Sequence, residues 1–143
     1  MTEPEYLPLA LRTWTAPLRG TPEGTAYLLW GLDSELGEVS AVFKRMLRDG
    51  TPLDVAQDRF DDELGDVLWY WTVLQWEQRQ GNYDPQDRTG MGHWYWDAMI
   101  ETACGGARRA GLDVDYGRSR AKNIAKLTSR AERGVIQGSG GDR

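Results

Sequence analysis

Two long stretches with helical periodicity limit this sequence to a small set of folds. Between residues 25 and 48, and again from about residue 53 or 55 to residue 80, apolar residues recur every three or four positions. That spacing is typical of one buried face of an α-helix. Gly50 and Pro52 lie between the stretches, and so short a connection favours an antiparallel pair of helices. We therefore expect the fold to be built on a helical hairpin.

The rest of the chain predicts two further helices and no strand. Helical spacing covers about residues 93–110 and 116–133, and no stretch alternates in the strand pattern. Residues 1–24 contain four of the six prolines and are predicted to form an irregular, Pro-rich arm. The segments 81–92 and 134–143 are rich in glycine and polar residues, which indicates a loop and a tail. We expect one all-α domain, residues 1–143, with a four-helix arrangement.

Composition excludes several classes of protein. The 143 residues carry a net charge of −5, which argues against binding a nucleic-acid polymer through its backbone. No basic stretch followed by an apolar run begins the chain, and no apolar run reaches the roughly 18 residues of a membrane span. The single cysteine, Cys104, rules out an internal disulfide and is expected to pack in the core. We expect no contact with a membrane and a cytoplasmic location.

Charge is distributed unevenly along the chain. Residues 1–116 carry 20 acidic and 10 basic residues, whereas residues 117–133 carry six basic residues and one acidic residue. An acidic body with one basic helix suits a polyanion that is held by metal ions on one side and by cations on the other. Two oppositely charged, solvated faces are the alternative interpretation.

The pentapeptide Glu-Leu-Gly-acid-Val occurs twice, once in each half of the predicted hairpin. The first copy contains Glu35 and Glu38, and the second contains Glu63 and Asp66. Each pair is spaced i, i+3, so its two carboxylates share one patch of the helix surface, on the same shoulder of the apolar stripe in both helices. In an antiparallel hairpin, all four acids are expected to emerge on the same side.

Four carboxylates in one place repel one another unless a cation binds between them. Oxygen ligands in that number suit Mg²⁺, with Mn²⁺ as a second possibility, because these hard cations also bridge to phosphate oxygens. The glycines inside the repeats, Gly37 and Gly65, each cost about 0.5–1 kcal/mol relative to alanine in a helix. Close helix approach beside the site would explain both. A solvated acidic face without a metal is the alternative.

Three segments together carry a resemblance to a known family. They are GLDSELGEVSAVFKRMLRDG, DDELGDVLWYWTVL and NIAKLTSRAERGVIQGSGGDR, and they contain ExxE, a spacer, ExxD and a downstream Asn/Lys helix. In this pattern the chain resembles the MazG-like nucleoside triphosphate pyrophosphohydrolases of the all-α NTP pyrophosphatase superfamily. Residues 78–107 look like an insertion relative to that family, and the tail GSGGDR departs from the pattern expected there.

The resemblance implies Mg²⁺-dependent hydrolysis of a (d)NTP to the monophosphate and pyrophosphate. It implies that Glu35, Glu38, Glu63 and Asp66 bind the metal and form the catalytic centre. It places a second set of residues near the substrate phosphates, namely Lys44, Asn123, Lys126 and Arg130. It also implies a MazG-like bundle that is completed by forming a homodimer or a dimer of dimers.

Two other functions remain open from the sequence. A non-catalytic nucleotide-binding or regulatory module would keep the acids without turnover, and a purely structural helical protein would bind no metal. The role of Trp69 is also open: it falls opposite the apolar stripe of its helix, where it would pack on another subunit or stack on a base. Plain packing, in the core or at an interface, is the favoured role.

Overall fold

The fold is an all-α bundle, as the sequence predicted. A computed structural model describes residues 1–82 and 93–134, so most of the predicted loop 81–92 and of the Gly-rich tail 134–143 lies outside the described residues. Five helices are present in the described part, and no strand: α1 (Glu3–Thr13), α2 (Pro22–Asp49), α3 (Leu53–Arg79), α4 (His93–Arg109) and α5 (Tyr116–Glu132). None of these helices combines the length and apolar character needed to cross a bilayer.

Helices α2 and α3 form the predicted hairpin, and local sequence sets its boundaries. The side chain of Thr21 accepts a hydrogen bond from the backbone N–H of Gly24, and Pro22 takes the first helical turn, where its missing N–H costs nothing. Gly50 ends α2 in the left-handed conformation, with φ of 62°, which glycine adopts without strain. The helix therefore begins one turn earlier than the apolar spacing predicted.

Helix α3 lies at the centre of the bundle and contacts α1, α2 and α5. Its buried residues include Phe60, Leu64, Val67 and Leu74, which pack with the apolar stripe of α2 in one core. In the predicted apolar stripe of α2, Leu28, Leu32, Leu36 and Val39 are buried and three further residues are half-buried, whereas Leu47 is 90% exposed at the end of the helix.

The prediction of an irregular arm over residues 1–24 is wrong for α1, which contains Pro4 and Pro8. Pro4 lies in the first turn, where a backbone N–H has no helical partner in any case. The Glu5 carboxylate accepts the backbone N–H of Thr2 at 2.7 Å, which is one half of a capping box. The helix removes Tyr6 from solvent entirely, and this burial offsets the hydrogen bond that Pro8 cannot donate.

A buried carboxylate attaches the segment after α1 to the end of α3. Glu77 is fully buried, and it accepts hydrogen bonds from the indole of Trp14 at 2.6 Å and from the backbone N–H of Gly20 at 2.8 Å. The side-chain amide of Asn82 donates a third at 2.7 Å. Because a buried carboxylate is tolerated only when it is well hydrogen-bonded, Glu77 fixes where the chain passes from α1 to α2.

Most of helix α4 lies in the segment 78–107 that looked like an insertion, and the helix contributes to the core. Trp96, Ile100 and Cys104 are buried with the rest of the apolar cluster. The helix packs on α2, where the ring of Phe43 lies against Gly106. Cys104 is fully buried, so the residue packs as the sequence predicted, and this burial raises the pKa of its thiol.

A candidate metal centre between the central helices

Three of the four predicted acids come together. Glu35 of α2 and Glu63 and Asp66 of α3 each place one carboxylate oxygen within 4.8 Å of those of the other two. All three side chains are half-buried. The antiparallel hairpin accounts for this geometry, because it sets the two copies of the pentapeptide side by side in opposite directions.

Glu38 is not a member of this group of three. It is half-buried on α2, three residues after Glu35, which corresponds to a rise of about 4.5 Å along the helix. The structure therefore separates the four acids into a compact group of three and one neighbour.

The Asp66 carboxylate is held by two residues of α5. The side-chain amide of Asn123 donates to Oδ1 at 2.8 Å, and the ammonium of Lys126 donates to Oδ2 at 2.6 Å. Lys126 also forms an ion pair with Asp62 at 3.3 Å. The family resemblance placed Asn123 and Lys126 near the substrate phosphates, which stays a prediction. In the structure both contact Asp66, the carboxylate predicted to bind the metal.

Asn123 and Lys126 differ in how far a ligand could reach them. Asn123 is 1% exposed and lies behind Asp66, with its side-chain oxygen hydrogen-bonded to the Tyr6 hydroxyl. The Lys126 side chain is 14% exposed, on the same side as the carboxylates it pairs with. Lys126 is therefore the better placed of the two to meet a ligand bound at the acid cluster.

The other two predicted phosphate contacts lie on different helices, Arg130 on α5 and Lys44 on α2. Arg130 is half-buried one turn beyond Lys126 on α5. Lys44 is exposed on α2, nine residues after Glu35, a distance of about 13 Å along the helix axis. Their roles in substrate binding stay predictions.

The basic face of α5 is largely engaged by acids of α3. Arg118 forms a bidentate pair with Asp61, at 2.7 and 3.0 Å, and Lys122 pairs with Asp58 at 2.7 Å. Together with Lys126, these cations recur every four residues along one face of α5. The basic residues of α5 thus form ion pairs with the acidic residues of α3. Neither the polyanion-binding interpretation nor that of two solvated faces had included such pairs.

Tyr70 is a neighbour of the cluster that was not among the predicted site residues. Burial raises the pKa of its phenol, and a hydrogen bond with Tyr27 and the nearby charges of Glu35 and Asp66 raise it further. Its ring packs directly on the backbone of α2 at Gly31, so Gly31 is a glycine that close contact requires. Tyr70 follows Asp66 by one helical turn in the sequence, and this spacing could have indicated that the two side chains lie on the same face of α3.

The two glycines of the repeats have different environments. A Cβ on Gly65 would lie 2.6 Å from the backbone oxygen of Ser119 and 3.0 Å from Cβ of Asn123, whereas a Cβ on Gly37 would meet nothing within 4 Å. Close helix approach explains Gly65, because it lets α5 bring Asn123 to Asp66. The same explanation is wrong for Gly37.

Trp69 packs within its own chain. Its indole N–H donates to the hydroxyl of Thr13 at 2.9 Å, and its ring makes edge contacts with Trp14 and Tyr70. Two of the predicted roles, a contact with another subunit and stacking on a base, assumed a bare face of α3. Helix α1, which the sequence analysis did not predict, covers that face.

The three clustered carboxylates fit a hard divalent cation. Oxygen donors that converge from two helices suit Mg²⁺ or Mn²⁺, which complete their coordination with water or phosphate oxygens. A separate cavity of about 350 Å³ is lined by Trp71 of α3, Tyr116 and Arg120 of α5 and residues of α1 and α4. It shares no residue with the acid cluster, so the cluster is the stronger candidate for chemistry.

Fold and site together define a helical-bundle protein with a three-carboxylate cluster between its central helices. The chain is similar to the Gene 37 protein of Mycobacterium phage L5, with 32% identity over 124 residues that span 85% of this chain and 78% of the phage protein. It belongs to the family of that phage protein. No family model matches the chain, and no solved structure matches it.

Proposed function

We propose that this protein is a MazG-like, Mg²⁺-dependent nucleoside triphosphate pyrophosphohydrolase, which converts a (d)NTP to the (d)NMP and pyrophosphate. The observation that carries the proposal is the convergence of Glu35, Glu63 and Asp66 within 4.8 Å. These acids belong to the ExxE and ExxD segments on which the resemblance rests. The proposal includes a homodimer or a dimer of dimers as the assembled form.

In this proposal the chain supplies metal ligands, a positively charged side chain and a proton acceptor. Glu35, Glu63 and Asp66 would hold the metal. A divalent cation bound there would neutralise phosphate charge and lower the pKa of a bound water. Lys126 already contacts Asp66, so its ammonium would lie beside a phosphate that meets the same centre. Glu38 follows Glu35 by about one turn of α2 and is not one of the three clustered acids, and it is our candidate for accepting the proton of the attacking water.

The test is product analysis with a panel of canonical and modified (d)NTPs, in Mg²⁺, in Mn²⁺ and in chelator. We expect monophosphate and pyrophosphate in the presence of metal only. Glu63→Gln should reduce turnover by at least about 100-fold, because losing a metal ligand removes several kcal/mol of transition-state stabilisation. Asp33→Asn is the matched control, since it removes an exposed acid of α2 outside the cluster and should leave turnover unchanged.

Other outcomes would point elsewhere. Metal-dependent nucleotide binding without turnover would reject the enzyme and favour the regulatory module. If the folded protein neither binds nor hydrolyses any nucleotide of the panel, only a structural role is left for the acids.

A further inference from the structure

A chain of hydrogen bonds links helix α1 to the acid cluster. The hydroxyl of Tyr6 donates to Oδ1 of Asn123 at 2.7 Å, and Nδ2 of Asn123 donates to Oδ1 of Asp66 at 2.8 Å. Tyr6 is completely buried and Asn123 is 1% exposed. Three helices, α1, α5 and α3, therefore meet through one asparagine amide.

The amide of Asn123 has only one orientation that satisfies both neighbours. An ionised carboxylate accepts hydrogen bonds and donates none, so the NH₂ group must face Asp66 and the oxygen is left for Tyr6. Burial and the charge of Asp66 raise the pKa of Tyr6, which keeps its phenol protonated and able to donate. Tyr6 thus fixes which end of the amide the carboxylate meets.

We infer that Tyr6 is a positioning residue for the metal site, which acts on Asp66 through Asn123. The inference rests on the proposed function in one respect, that Asp66 is a metal ligand. It makes α1 a supporting element of the site, although α1 contributes none of the clustered carboxylates.

The surroundings of Asp66 show why such support matters. Its second oxygen is paired with Lys126, which also contacts Asp62. Without the amide on Oδ1, the carboxylate would be held from the lysine side alone and would turn with that flexible side chain. Residues that orient metal ligands through hydrogen bonds typically change metal affinity or activity by about 10–100-fold when they are mutated.

The direct test is Mn²⁺ affinity, measured by titration calorimetry and by electron paramagnetic resonance, for the full chain and for Tyr6→Phe. We expect the variant to bind Mn²⁺ about tenfold more weakly while it keeps its helical content. Tyr95→Phe removes a hydroxyl from α4, outside the hydrogen-bond chain, and should leave the affinity unchanged. Ala10→Gly destabilises the same helix α1 without touching the hydrogen bonds, and it should also retain Mn²⁺ affinity.

A double-mutant cycle with Asn123→Ser separates positioning from general stability. If Tyr6 acts through the amide, Tyr6→Phe should cause no further loss of Mn²⁺ affinity in the Asn123→Ser background. Equal, additive losses in both backgrounds would overturn the inference. If Asn123→Ser does not fold, the comparison of Tyr6→Phe with Ala10→Gly decides, because equal losses in those two variants would also overturn it.

The outcomes distinguish this inference from the proposed function. Wild-type affinity in Tyr6→Phe would reject the inference and leave the enzyme proposal standing. A tenfold loss of Mn²⁺ affinity in a protein that hydrolyses no nucleotide would support the inference and reject the enzyme. A wild-type chain that binds no Mn²⁺ would reject both.

Discussion

The glycines of the repeated pentapeptide give a sharp test of the structure, because alanine should have opposite effects at the two positions. Gly37 is exposed inside α2 with open space around its Cα. Alanine there gains the usual helix preference and should stabilise the protein by about 0.5–1 kcal/mol. Gly65 lies where α3 and α5 approach, and its added Cβ would be 2.6 Å from a backbone oxygen.

The quantity to compare is the difference in stability between the Gly65→Ala and Gly37→Ala variants. Both gain the same helix-propensity term, which cancels, so the comparison isolates the cost of the close contact. Overpacking of this kind costs about 1–3 kcal/mol, and a backbone oxygen cannot move aside as a flexible side chain could. At roughly 3–4 °C per kcal/mol for a chain of this size, Gly65→Ala should melt about 3–12 °C below Gly37→Ala.

Thermal and urea denaturation of the wild type and both variants would measure this difference. The wild type should fall between the variants or near Gly65→Ala, since the propensity gain partly offsets the clash. If Gly65→Ala proves as stable as Gly37→Ala or more stable, α3 and α5 do not approach as described, and the position of Asn123 behind Asp66 would have to be abandoned.

Two further predictions concern buried groups. Glu77→Gln should destabilise the protein by about 1–3 kcal/mol in urea titrations, because an NH₂ group would face the donors that now meet a carboxylate; an equal effect of the exposed Glu23→Gln would contradict this. The pKa values of Tyr6, Tyr70 and Tyr116 are all raised above the ordinary value of 10.0, chiefly by burial. The native state therefore holds these protons more tightly, so stability should be complete below pH 10 and decline above it. Urea midpoints between pH 8 and 11 should decline less steeply for Tyr6→Phe than for the wild type. An identical slope in both proteins would show that Tyr6 does not contribute to the loss of stability.

Much of the fold could be read from the sequence because apolar spacing is a local signal. Helices α2 to α5 lie within a few residues of their predicted bounds. Helix α1 was missed because its two prolines outweighed a short apolar pattern. The pair Thr2 and Glu5, spaced as a capping box, was the signal that could have located its beginning.

The site was harder to predict because it depends on contacts between distant parts of the chain. The repeat and the hairpin sufficed to bring Glu35, Glu63 and Asp66 together. No spacing rule could show that Asn123 would be buried between Tyr6 and Asp66, both of which lie more than 50 residues earlier in the chain.

The pairing of α5 with α3 has a consequence for how this molecule appears to an anion at a distance. Three cations of α5, namely Arg118, Lys122 and Lys126, lie within 2.7 Å of aspartates of α3, so these two rows of charge largely cancel beyond a few ångströms. What remains at long range is the surplus negative charge of the chain, −5 overall. A polyanion approaching through dilute buffer is therefore repelled before it reaches any lysine, and added salt, by shortening the Debye length, should speed its arrival.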